Sequence, residues 1–229
     1  MDTQIYGFYA SAKMLEPDDV FRHFFCGLSR ERQRKIEQIK PDAERTRSLM
    51  AGMLLDYGLW RLCGLRERAV ALAYGAQGKP YAREYPDIHF NLSHSGGYAL
   101  AAFAPVPVGC DIQKKGETKR EAQIAGRFFS EGEQRAMEAG ADFYQIWARK
   151  ESYLKLSGEG MALDMRSFCV TDGPCRFSDM ELPDYCLSVC YAGAEFSVTW
   201  QEVCPADFWD MDDAAQRPHT GGFEQNGGE

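Results

Sequence analysis

The chain has 229 residues and a mass of 25.8 kDa, room for one large domain or for two small lobes around a shared core. Its 45% hydrophobic and 26% charged residues exclude a fibrous or disordered chain. The formal charge of −8 excludes general nucleic-acid binding, because a phosphate backbone needs a basic face.

Residues 4 to 10 alternate as an opening strand does, and Pro17-Asp18-Asp19 reads as a helix start. Ser29 caps a basic helix to about Gln38, and Pro41-Asp42 opens a longer one with the stripe Leu49, Met53, Leu54 and Leu59, ending near Gly64. From Val70 the texture turns to short β-like runs at 71–74, 88–92, 98–104 and 108–112, separated by Gly and Pro. Helical periodicity returns at 118–128, 130–138 and 142–156, and strands are expected at 167–171, 185–191 and 195–203. The order strand, helices, strands occurs twice with a junction near 105–107. The expected fold is therefore α+β, with two similar lobes at 1–106 and 107–210, each a small sheet packed with helices. Residues 211–229 offer little to bury and read as a disordered tail.

No apolar run approaches the roughly 18 residues of a membrane span, and the start Met-Asp-Thr-Gln lacks a basic signal region, so a cytoplasmic protein with no membrane partner is expected. The eight cysteines then read as reduced thiols. With no Cys-x-x-Cys and four scattered histidines, zinc has little support. Within 30–47, seven basic residues face four acidic ones, a local excess that suits either a small phosphorylated ligand or a solvated helix face laced with ion pairs.

Three segments carry candidate chemistry. Asn91-Leu92-Ser93-His94-Ser95-Gly96-Gly97 offers hydroxyls, an imidazole and backbone N–H groups to an anion, or forms an ordinary polar turn. A serine-hydrolase role for Ser93 is disfavoured, since no Gly-x-Ser-x-Gly surrounds it. In Val108-Gly109-Cys110-Asp111-Ile112-Gln113, Asp111 and Gln113 share one strand face. A carboxylate there needs a metal or a base beside it, unless it only caps a turn. In Trp147-Ala148-Arg149-Lys150-Glu151-Ser152-Tyr153-Leu154-Lys155, residues 147, 151 and 155 form one helical stripe. Glu151 and Lys155 are a surface pair there, or a metal ligand or base with a phosphate clamp.

These segments, with Gly78-Lys79-Pro80, Arg127-Phe128-Phe129-Ser130 and Gly158-Glu159-Gly160, resemble in order and spacing the motifs of Sfp-type phosphopantetheinyl transferases over about residues 30 to 170. The resemblance implies two pseudo-symmetric α+β lobes with coenzyme A and a divalent cation, Mg²⁺ or Mn²⁺, in the cleft between them. It also implies transfer of the phosphopantetheine arm to a serine of an apo acyl or peptidyl carrier protein, releasing adenosine 3′,5′-bisphosphate. By resemblance, Lys79 and Pro80 lie near the adenine, Arg47 and His94 take the 3′-phosphate with Arg34 assisting, and Ser93 and Lys155 serve the phosphates. Asp111 and Glu151 hold the cation, and Glu151 or a water accepts the serine proton. The family's Asp-x-Glu is Asp111-Ile112-Gln113 here, so Gln113 would offer the cation only a neutral amide oxygen. A carrier-docking face is expected on 114–129, with Lys114, Lys115, Lys119, Arg120 and Arg127 beside Ile124, Phe128 and Phe129, on a monomer. Two rivals remain: a metal-dependent phosphohydrolase, and a carrier-binding protein without turnover.

Overall fold

The computed structural model describes residues 4–116, 120–173 and 175–216. Strand β1 (Gln4–Ser11) leads to α1 (Asp18–Gly27), α2 (Arg30–Glu37) and the long α3 (Asp42–Cys63). Then come β2 (Leu72–Tyr74), β3 (Pro80–Ala82), β4 (His89–Ser95), β5 (Tyr98–Ala104) and β6 (Val108–Lys114). Helices α4 (Glu121–Phe128), α5 (Glu131–Glu138) and α6 (Phe143–Ser157) follow. The chain continues through β7 (Arg176–Leu182), β8 (Tyr185–Tyr191), β9 (Ser197–Glu202) and α7 (Pro205–Gln216). The fold is α+β, as expected.

Three sheets organise it. The first has the order β4-β5-β1-β9, antiparallel except for the parallel β1–β9 pair; the second is the β2–β3 hairpin; the third is antiparallel β6-β8-β7. Helix α3 begins with Asp42 and Glu44 in its first turn and stops at Gly64, whose φ of 66° lets its N–H return to the Leu59 and Trp60 carbonyls. Residues 48–59 of α3 are all buried, because the first sheet covers one side while α1, α2 and α7 cover the others. A second core lies between the first and third sheets, and a third joins α4, α5 and α6 to β8.

The first and third sheets meet side by side at β4 and β6, with side chains in place of a backbone ladder. Asn91 Oδ1, Ser93 Oγ and Ser95 Oγ accept the backbone N–H groups of Cys110 (2.9 Å), Ile112 (3.3 Å) and Lys114 (3.1 Å) in turn. The two-residue spacing of Asn91, Ser93 and Ser95 matches the period with which β6 turns its N–H groups to that side. Helix α6 lies directly on β6. A Cβ on Gly109 would stand 1.9 Å from the Ser152 carbonyl oxygen, so only glycine permits this approach.

Several expectations need correction. Residues 167–171 form no strand: a 3-10 turn, Met165–Ser167, leads into irregular chain, and the edge strand of the third sheet is β7 instead. Strand β9 leaves the expected second lobe to pair with β1. The expected tail is helical as far as Gln216, because Phe208 and Met211 are buried against α1 and α3; residues 217–229 lie outside the described residues.

Candidate active site

The junction of β4, β6 and α6 forms one wall of a cleft of about 490 Å³, and α2, α3 and the β2–β3 turn form the other. Helix α6 brings two of its stripe residues here. Asp142 caps it by accepting the Tyr144 N–H at 2.7 Å, and Gly158, with φ 73°, ends it. Trp147 instead packs among Phe128, Phe129 and Phe143, so the stripe divides between core and cleft.

At the cleft floor Asp111, only 3% exposed, is surrounded by donors. Lys155 Nζ lies 2.6 Å from Oδ1, Ser93 Oγ donates to the same oxygen at 2.7 Å, and Gln113 Nε2 donates to Oδ2 at 2.6 Å. Lys155 Nζ also donates to Ser93 Oγ at 2.8 Å. Burial works against the Lys155 ammonium, yet the Asp111 charge and hydrogen bond, with Glu151, hold its pKa above the usual lysine value. Glu151 faces the same cleft. Burial raises its pKa and the nearby Asp111 charge raises it further, with Lys155 opposing. Beneath them the Cys110 thiol is pushed up to about 12 by burial, which leaves it protonated and inert.

The opposite wall is basic. Arg32 and Lys35 of α2 and Ser48 of α3 line it, with His94 of β4 beside them. Glu44 sits between His94 Nε2, 3.6 Å away, and the Arg47 guanidinium. Burial lowers the His94 pKa, Glu44 counters it, and Lys155 and Arg47 add to the lowering. Lys79 and Pro80 close one end, where Lys79 Nζ donates to the Val108 and Leu156 carbonyls at 3.0 and 3.3 Å and ties β3 to β6 and α6. Burial lowers its pKa.

The cleft therefore gathers Lys79, Pro80, Ser93, His94, Asp111, Glu151 and Lys155. It does not gather the other three residues named from the sequence. Arg34 is exposed on the far face of α2, Arg47 is held by Glu44 and the Gly96 carbonyl (3.1 Å), and Gln113 reaches the cleft only through Asp111. The Gln113 amide turns its N–H donor, not its oxygen, to that carboxylate. Arg32 and Lys35 were counted only within the basic run of 30–47, and Ser48 was not anticipated. The signal was Ile36, the buried apolar residue of α2, since Arg32 lies one turn before it on the same face and Arg34 does not.

A separate trio, Asp142, Glu181 and Cys186, has ligand atoms within 4.8 Å of one another. Lys115 Nζ already stands among them, 3.0 Å from Asp142 and 3.2 Å from Glu181, and the Cys186 thiol is pushed up to about 11 by burial. It is an ion-pair cluster, in which the lysine supplies the positive charge.

Comparison with known proteins finds similar chains. The family profile described as the 4′-phosphopantetheinyl transferase superfamily matches residues 107–202. The chain is 33% identical over 215 residues to 4′-phosphopantetheinyl transferase Sfp of Bacillus subtilis (strain 168), covering 84% of this chain and 94% of that protein. It is 32% identical over 177 residues to 4′-phosphopantetheinyl transferase psf-1 of Bacillus pumilus, covering 67% and 74%. With 4′-phosphopantetheinyl transferase AcpT of Salmonella typhi it shares 35% over 143 residues, 59% of this chain and 73% of that one.

Proposed function

This chain belongs to the Sfp-type 4′-phosphopantetheinyl transferases, and from that premise we propose that it moves the phosphopantetheine arm of coenzyme A onto a serine of an apo acyl or peptidyl carrier protein, in a Mg²⁺-dependent reaction releasing adenosine 3′,5′-bisphosphate. One observation carries the reading: an acid, a second acid and a lysine (Asp111, Glu151, Lys155) face a wall of Arg32, Lys35 and His94 across a single cleft. Phosphates bind where charged donors converge, and arginine suits them through its fork of N–H groups. Arg32, Lys35, His94 and the Ser48 hydroxyl take the 3′-phosphate, Lys79 and Pro80 flank the adenine, and Lys155 reaches the pyrophosphate.

The donor set suits a hard divalent cation, since Asp111 and Glu151 offer carboxylate oxygens within one cleft and the Cys110 thiol is protonated. When bound, Mg²⁺ or Mn²⁺ supplies charge neutralisation at the pyrophosphate. Gln113 serves by orienting Asp111. The carrier serine oxygen attacks the β-phosphorus, its proton passes to Glu151, and the bond from that phosphorus to the bridging oxygen breaks. The 3′,5′-bisphosphate leaves with the electron pair.

The carrier docks beside the cleft on 114–129. Lys119 lies outside the described residues, Arg127 is exposed over the Phe128 ring, and Phe129 is fully buried, so it is no anchor. Among the described residues no helix is long and apolar enough to cross a membrane. The test is incubation with coenzyme A, Mg²⁺ and a panel of apo carriers, followed by mass spectrometry. A carrier should gain one phosphopantetheine arm, and coenzyme A should stay intact without a carrier. Cleavage of coenzyme A in the absence of any carrier would instead indicate a phosphohydrolase.

A further inference from the structure

Glu67 is a fully buried carboxylate with no part in the chemistry above. It lies in the turn after α3, where its own N–H is accepted by Asp56 Oδ1 at 2.7 Å, and Asp56 is in turn gripped by Arg66. Both carboxylate oxygens reach Ser29, the residue that caps α2: Oε2 accepts the Ser29 N–H and Oε1 the Ser29 hydroxyl, each at 2.8 Å. Burial pushes the Glu67 carboxyl up, while Ser29 and the Arg32 charge pull it back.

Helix α2 needs such an anchor. Its sequence, Arg-Glu-Arg-Gln-Arg-Lys-Ile-Glu, contains one apolar residue, Ile36, so hydrophobic packing supplies little to fix its position. The remaining anchors are polar. Gln33 Nε2 donates to the Leu28 carbonyl at 2.8 Å, and the Lys35 ammonium sits 5.5 Å from the centre of the Tyr74 ring. Arg32 carries the consequence: it is 4% exposed, its Nε has no hydrogen-bond partner among the described residues, and it lines the cleft.

We propose that Glu67 is a positioning residue for the anion-binding wall, clamping Ser29 at the start of α2 and thereby holding Arg32 and Lys35 against the cleft. The inference rests on the assignment of that wall to the 3′-phosphate, and the assay separates the two. Dissociation constants for coenzyme A and for dephospho-coenzyme A are measured by calorimetry with Mg²⁺, alongside the melting temperature. Wild type should prefer coenzyme A. Glu67→Ala should weaken coenzyme A by about tenfold, the scale of one hydrogen bond to a charged group, and dephospho-coenzyme A by less than about twofold. Glu67→Gln keeps an oxygen for the Ser29 N–H and should recover most of the loss. Ser29→Ala should act in the same direction and more weakly, and it replaces Glu67→Ala if that variant does not fold. Equal weakening of both cofactors, or unchanged coenzyme A binding in folded Glu67→Ala and Ser29→Ala, overturns the inference alone. A wild type with no preference between the cofactors overturns the phosphate assignment and the inference with it.

Discussion

Lys155 stands 2.6 Å from the Asp111 carboxylate that we propose holds the cation, and its replacement by methionine should strengthen cation binding while weakening transfer. The ammonium is 2.6 Å from Asp111 Oδ1, and Ser93 and Gln113 donate to the same carboxylate, so a cation can approach only by competing with donors tethered to the chain. An ammonium and a divalent cation about 4 Å apart repel by about 8 kcal/mol at an effective dielectric of ~20. The Lys155 side chain is 29% exposed, and solvent screening and local relaxation discount that figure to roughly 1.4 kcal/mol, or about tenfold in dissociation constant. The assay is Mn²⁺ binding followed by electron paramagnetic resonance, with and without coenzyme A. In wild type the cofactor should tighten Mn²⁺, because a pyrophosphate draws Lys155 off Asp111, and by linkage Mn²⁺ should tighten the cofactor equally. Lys155→Met should bind Mn²⁺ alone about tenfold more tightly and show a smaller cofactor effect. Lys79→Met is the control, since Lys79 also lines the cleft but bonds the Val108 and Leu156 carbonyls. Weaker or unchanged Mn²⁺ binding in Lys155→Met refutes the reasoning, as does an equal gain in Lys79→Met, which would reduce the effect to overall charge.

Glu151→Gln should abolish transfer and yet stabilise the protein. The folded pKa of Glu151 is raised, so its contribution to stability is full below the unfolded value and is lost as pH rises through the folded one. Without metal or cofactor, Glu151→Gln should therefore melt higher than wild type at neutral pH, with the gap closing toward acid pH. Lys150→Met should be destabilising by about 3–5 kcal/mol in urea unfolding, because it leaves the fully buried Glu133 carboxylate without its cation, and the double variant with Glu133→Leu should recover much of that. Gly109→Ala should cost activity more than any other single methyl in β6, since its Cβ meets the backbone of α6 at Ser152 and Leu156 and displaces Glu151 and Lys155 from Asp111. Circular dichroism of the folded variant beside a transfer assay checks it.

Parts of the molecule bound by local chemistry were legible in the sequence. Pro41-Asp42 and Gly64 mark the ends of α3, and its apolar stripe places it in the core. Asp111, Ser93, His94, Glu151 and Lys155 could be singled out because polar groups within apolar strands and helices demand partners, and the cleft supplies them. What escaped depends on partners distant in sequence. Strand β9 reads as part of a carboxy-terminal sheet, yet the register that pairs Val198 with Ile5 sends it back to β1, and nothing in its own pattern says which edge it joins. Strand β7 has mostly half-buried residues, as an edge strand does, so its sequence lacks the alternation that marks β8's neighbour on the other side.

The choice of arginine shows the same limit within a single turn of helix. Three arginines and a lysine lie within six positions of α2, and charge alone cannot rank them. The phase of the helix does, and that phase is set by Ile36 on one side and by the Glu67–Ser29 clamp at its start, with Glu67 reaching it from beyond α3. Asn91, Ser93 and Ser95 make the converse point. The hydroxyls of Ser93 and Ser95 were read as groups offered to an anion, and in the fold all three side chains each take one N–H of β6 and join two sheets at the cleft floor. Ser93 accordingly has two functions: its oxygen accepts the Ile112 N–H and the Lys155 ammonium while its hydroxyl proton goes to Asp111, so the seam between the sheets and the charged floor of the cleft share one atom.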